Sequence, residues 1–312
     1  MIMKKLFLLL IAAAVGTLSG FAQNSLVATL QHGSSIQAFY GDDALSAAHT
    51  AAVDGDIITL STGEFNSCNI TKAITLRGEG IGKTKLKNNH ITSTIPHGSA
   101  YTLMFEGLDF LDININVSGT DGTERVVLSK CSWGYWNRSV GFNNCNATVV
   151  QCRTTGNGSV VADEGTNVTC LNSIFYSVVS NSNSRYDIQN CVLSVGGLKN
   201  SSIKNCIVSA GNWSLDASNT SSHCLVKDGS GYANSWYVDS WDSIIEGGWD
   251  IGGTCQLTET AATTYLGTDG TQVGIYGGMY PYDVTVSYPL VKTLDVIGSH
   301  KNGKLNVKIN VE

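Results

Sequence analysis

A six-residue pattern recurs between residues 105 and 208, in the order apolar, any residue, polar or Gly, Cys or a substitute, any residue, apolar. Its copies are 105–110, 128–133, 149–154, 170–175, 188–193 and 203–208. The fourth positions, Leu108, Cys131, Cys152, Ser173, Cys191 and Cys206, lie 23, 21, 21, 18 and 15 residues apart. Self-similarity at about 20 residues marks a solenoid, in which each unit buries its apolar side only by stacking on its neighbours. Positions four and six are two apart and face the same way on a strand. Position one can join them inside only if the chain bends at position three. Asn172, Asn190 and Asn205 suit that bend, because asparagine tolerates the left-handed region and bonds local backbone. Neither a leucine-rich frame nor a 3.6-residue period fits. The spacing predicts an all-β chain, a right-handed parallel β-helix, with its hand set by the usual crossover preference. Three inward columns follow, beginning at Phe105, Leu108 and Phe110.

The flanks differ. Residues 43–53 have helical composition with Asp43 at the N-cap position, and 57–60 and 74–80 restart strands. A helix there would cover the open end of the solenoid, where bare strand edges invite aggregation. Residues 267–282 are rich in Gly, Asp and Tyr and read as a loop. Residues 283–288 and 304–311 alternate like strands, with a tight turn at 300–303 before the second. The organisation expected is a signal peptide over 1–22, an N-terminal strand and capping helix over 23–60, a β-helix over 61–255, and a C-terminal loop and strand cap over 256–312.

The signal rests on Lys4 and Lys5, an apolar run over 6–15, and Gly20-Phe21-Ala22 as a cleavage site. That run is shorter than the roughly 20 residues a spanning helix needs. No later segment reaches that length, so no transmembrane segment is expected. The expected address is secreted (periplasmic, cell-surface or extracellular) after cleavage near Ala22. Hydrophobic residues make up 42% and charged residues 14%, which excludes a disordered chain. A net charge of −6 gives no basic footprint for nucleic acid.

The stretch from Ala44 to Phe65, with Gly-Asp-Ile-Ile-Thr-Leu and Thr-Gly-Glu-Phe, resembles the N-terminal cap and first coil of the pectin-lyase-like superfamily of secreted β-helix proteins. Ile74-Thr75-Leu76-Arg77-Gly78-Glu79-Gly80 resembles its next rung, and the Asn-Cys pairs at 190/191 and 205/206 its inward turns. The layout, with a signal ending at Ala22-Gln23, is similar to uncharacterised exported proteins of Bacteroidetes-type bacteria. The resemblance covers about residues 25–255 and implies a fold more than a function, since one fold hosts many activities.

Candidate sites follow from the columns. Cys131, Cys152, Cys191 and Cys206 share one inward column and Cys170 another, where cysteine packs as a small apolar residue. Ladder neighbours have parallel Cβ vectors, poorly set for a disulfide. No Cys-x-x-Cys pair occurs and no two of the six histidines have metal-ligand spacing, so no cofactor or metal is expected.

Trp236, Tyr237, Trp241 and Trp249 interleave with acids, which suits either closure of the solenoid end or a glycan-binding surface. β-Helix lyases and hydrolases stack acids on the outer strand face. Here the outward positions read Asp109, Ser132, Arg153, Ile174, Val192, Ile207 and Glu106, Ser129, Val150, Leu171, Gln189, Lys204, with no stacked acid pair. The Asn-Thr-Asp, Gly-His-Gly and Arg-Ile-Lys set of polygalacturonases is absent, and Asp42-Asp43 falls at the helix start. Asp163, Glu164, Asp239 and Asp242 remain as loop carboxylates. The leading expectation is a non-catalytic exported protein that meets glycans or the cell surface. The alternatives are a polysaccharide lyase or glycosidase with a loop-borne carboxylate site, and a purely structural or adhesive protein. The sequence sets no oligomeric state.

Overall fold

A computed structural model describes residues 26–134, 138–181, 183–286, 291–296 and 307–311. The signal segment, Tyr135, Trp136 and the turn at 300–303 lie outside them. The chain forms a parallel β-solenoid of about eight turns.

One sheet has eleven strands and contains the first inward column. Leu76 pairs with Phe105, Phe105 with Leu128, Leu128 with Val149, Val149 with Cys170, Cys170 with Ile188, and Ile188 with Ile203. A second, fourteen-stranded sheet carries the third column, including Leu86 with Phe110, Trp133 with Thr154 and Phe175 with Leu193. Both ladders have the register that the six-residue pattern requires.

The bend between them is left-handed at each rung from Phe105 onward: Gly107, Lys130, Gln151, Asn172, Asn190, Asn205 and His223 all have φ between 44° and 65°. Each coil also has a third face. Ile91–Thr94, Ile115–Ser118, Ser139–Asn143 and Ser159–Ala162 begin a row that the second halves of Ile174–Ser180 and Val192–Gly197 continue.

At the N-terminal end a hairpin, Val27–His32 with Ser35–Tyr40, pairs antiparallel with Ile57–Leu60. Helix α1 (Ala44–Ala51) packs on it by burying Ala44, Leu45, Ala48 and His49. Asp43 is at the N-cap but makes no cap hydrogen bond; its carboxylate instead accepts from Asn66 Nδ2 at 2.8 Å. The helix C-terminus is held by Lys72, whose Nζ donates to the carbonyls of His49, Thr50 and Ala52.

The last paired rung is Trp236–Tyr237. Residues 238–286 then run back along the outside of the solenoid as a strap, containing the short helix α2 (Glu259–Thr264) and otherwise mostly turns. Over 283–286 the alternating pattern does not become a strand. Asp283 Oδ1 accepts the Thr285 amide at 2.8 Å in a local turn, and the Thr285 carbonyl accepts from Lys130 Nζ, so this backbone bonds to itself and to a side chain rather than to a ladder. Val307–Val311 does form a strand, antiparallel to Val291–Val296.

Candidate functional site

The inner columns hold the thiols. Cys131, Cys152, Cys191 and Cys206 are fully buried, as are Cys170 and Cys224, and all nine cysteines are free. Each turn cysteine bridges rungs. The Cys131 amide donates to Cys152 Sγ at 3.4 Å and the Cys191 amide to Cys206 Sγ at 3.4 Å. Ser173 takes the same role, accepting the Cys152 amide at 3.0 Å. The column continues beyond the copies read from the sequence, through Cys224, whose amide donates to Ser235 Oγ at 3.1 Å. Ser221 stands in that rung where the pattern has an apolar first residue, which hid it. Burial pushes the thiols of Cys131, Cys170 and Cys206 well above their ordinary range.

The outer face divides. Asp109 and Arg153 are half-buried there, but Ile174, Val192, Ile207 and Leu225 are fully buried beneath the strap. They form a second core with Trp241, Ile244, Ile245, Cys255, Leu257, Val273 and Ile275. Polar bonds fix the strap along the line of left-handed bends. Asn172 Nδ2 donates to the carbonyls of Ile275 and Gly277 at 2.9 and 2.7 Å, and Gln151 Nε2 to that of Pro281 at 2.6 Å. Asn205 Oδ1 accepts from the Thr268 amide at 2.9 Å. Gly277 and Gly278 lie where a Cβ would strike Asn190, within 2.9 Å. Arg153 Nη2 is held by the Gly252 carbonyl at 2.5 Å, so this outer cation is bound by the strap.

The aromatic group is thereby split. Trp241 is 4% exposed and stacks on Trp249 at 5.1 Å, while Trp236 lies edge-on to His223 and Tyr265. The three tryptophans belong to the second core or pack against it. Tyr237 is on the other side of its strand, following Val226 in the inward column, and is 53% exposed because no further rung stacks on it. Its hydroxyl accepts from the Tyr232 amide at 2.9 Å and donates to the Tyr232 carbonyl at 3.1 Å, so the ring is fixed. Beside it is an open cleft of about 430 Å³ lined by Val226, Asp228, Gly229, Ser230, Val238 and Asp239.

Asp239 thus lies with Tyr237. Asp242 is exposed outside that cleft, on the segment leading to the Gly247-Gly248 turn. Asp163 and Glu164 are engaged by the next coil, accepting from Asn181 and Asn183 side chains. Of these four carboxylates, Asp239 alone lines the cleft beside Tyr237.

Sequence spacing missed one cluster. His97 Nδ1 lies 3.4 Å from Asp121 Oδ2 and 3.9 Å from Glu124 Oε1. The interval from 97 to 121 is 24 residues, close to one rung, so the solenoid period was the signal that joins them. Comparison with protein-family models, curated proteins and solved structures finds no match to this chain.

Proposed function

We propose that this is an exported, non-catalytic β-solenoid of the pectin-lyase-like type that binds a neutral glycan at its C-terminal end. The observation that carries it is the fixed, half-exposed ring of Tyr237 beside Asp239 in an open cleft. A sugar face stacks on such a ring, and carboxylates orient its hydroxyls. Asp239 disfavours uronate chains by like charge, while Asp228 is paired with Lys227. Export is supported by the signal-like composition of residues 1–22.

The absence of catalysis is supported by the outer columns, which stack no acid pair, and by Arg153, which the strap carbonyls engage. Affinity electrophoresis of the protein lacking residues 1–22 against neutral and acidic polysaccharides tests this. Retardation by a neutral polymer, lost in Tyr237→Ala and weakened in Asp239→Asn, is expected. Equal retardation of wild type and Tyr237→Ala removes the site. Release of unsaturated products or reducing ends, abolished by Asp239→Asn, would make the protein an enzyme instead.

A further inference from the structure

The corner between the third face and the first sheet carries metal-ligating chemistry that the glycan cleft does not use. His97 stands in this turn on one rung, and Gly119-Thr120-Asp121-Gly122-Thr123-Glu124 forms it on the next. One ligand atom from each of His97, Asp121 and Glu124 lies within 4.8 Å of the other two. Both carboxylates are held in place by neighbouring donors. Asp121 Oδ1 accepts the Thr123 amide and hydroxyl at 2.9 and 2.6 Å, which leaves Oδ2 toward the imidazole. Glu124 accepts the Thr120 and Asp121 amides at 2.8 and 3.3 Å, and its side chain is only 2% exposed.

The chain contains its own control for this turn. Gly267-Thr268-Asp269-Gly270-Thr271-Gln272 repeats the first five residues and makes the same Asp–Thr turn, at 2.9 and 2.7 Å. There the first threonine amide is satisfied by the neutral Asn205 Oδ1 rather than by a carboxylate. The turn therefore does not require a charge at its sixth position. Burying an ionised carboxylate costs several kcal/mol unless a cation or strong donors compensate it. At 119–124 the Thr120 and Asp121 amides hold Glu124 as a carboxylate beside a second acid, and an imidazole from another rung lies within 3.9 Å of both.

We propose that His97 Nδ1, Asp121 Oδ2 and Glu124 Oε1 bind a divalent transition cation of the Zn²⁺ class, clamping two successive rungs. A tetrahedral centre with bonds of about 2.0–2.1 Å sets its ligand atoms about 3.4 Å apart. The 3.4 and 3.9 Å separations meet that with a small side-chain adjustment. One nitrogen and two carboxylate oxygens suit Zn²⁺, whereas Ca²⁺ and Mg²⁺ take oxygen ligands.

The test is calorimetric titration of untagged, chelator-treated protein with ZnCl2 and separately with CaCl2, with thermal melts at each concentration. One Zn²⁺ per chain and a Zn²⁺-dependent rise in melting temperature are expected. His97→Ala and Glu124→Gln should each weaken binding more than about tenfold. The glutamine keeps one acceptor for the Thr120 amide, and its melt without metal reports whether the fold is retained. Absence of Zn²⁺ binding by the wild type would overturn the proposal. So would Zn²⁺ binding unchanged in both variants, or Ca²⁺ binding that ignores the loss of His97.

Discussion

The inward and outward positions of the same strands obey different rules. Inward, every rung from Phe105 to Ile203 presents an apolar residue, because each must pack on the one before. Outward, the rungs at Asp109, Ser132 and Arg153 carry polar groups, and those at Ile174, Val192, Ile207 and Leu225 carry large apolar ones, all fully buried. A solenoid has no internal reason for that change. It requires a cover, and the strap supplies it. The seam is also less completely satisfied than the core. Of the six buried polar atoms without a partner among the described residues, Arg153 Nε, Asn190 Nδ2, Trp241 Nε1 and Tyr282 OH lie along it.

The sharpest way to break this comparison is to empty the outer core. Trp241→Ala should cost about 3–5 kcal/mol, as much as Trp133→Ala in the inner column, if the two are equivalent cores. Denaturant melts of both variants decide it; a loss below about 1 kcal/mol for Trp241→Ala would mean that the strap only shields the face. Ile207→Ala should follow at about 2–4 kcal/mol, although its side chain points out of the solenoid.

Asn172 separates its two duties. Asn172→Gly keeps the left-handed bend and loses both strap bonds, for about 1–2 kcal/mol in chemical denaturation. Asn172→Ala adds the cost of a left-handed alanine, about 1 kcal/mol more. Equal melting of the two variants would show that the bend imposes no strain.

The smallest effect belongs to the inner turns. Cys206→Ser should change stability by no more than about 1 kcal/mol, because Ser173 already takes the amide of the preceding rung in the same column. In thiol labelling of the native protein, half-buried Cys68 should react before the column cysteines. Burial pushes its thiol up to about 11, so its rate should rise about tenfold per pH unit from pH 8 to 10. Column cysteines that label as fast as Cys68 would show that the core opens.

The inward columns were legible because a packing period writes itself into residue type. Cys131, Cys152, Ser173, Cys191 and Cys206 vary in identity but stay small, and Leu108 at the head of the column is the larger exception. The third face was missed because its strands, such as Ile115–Ser118, are four residues long and follow loops of unequal length. The strap was half legible. The run Ile174, Val192, Ile207 at outward positions is apolar in the sequence itself, but nothing local to those strands says which segment buries it. The split between Tyr237 and the three tryptophans could not be read, since it depends on where a turn-rich segment lies in space. His97, Asp121 and Glu124 needed the rung interval applied to side chains outside the repeat.

The strap has a consequence for cooperativity. A stacked array is held by nearest-neighbour interfaces, so its ends can fray while its middle stays folded. Here a single continuous segment touches the coil at Ile207 and Leu225, bonds Asn172, Gln151 and Lys130 in turn, and reaches Gly107, where Val286 lies against the bend. Opening any rung on that edge also strips part of the strap, which couples coils that never touch one another. The strap's binding line exists only where the rungs beneath it have stacked. Unfolding should then be one concerted event with a high barrier, in place of the sequential unzipping natural to a bare solenoid.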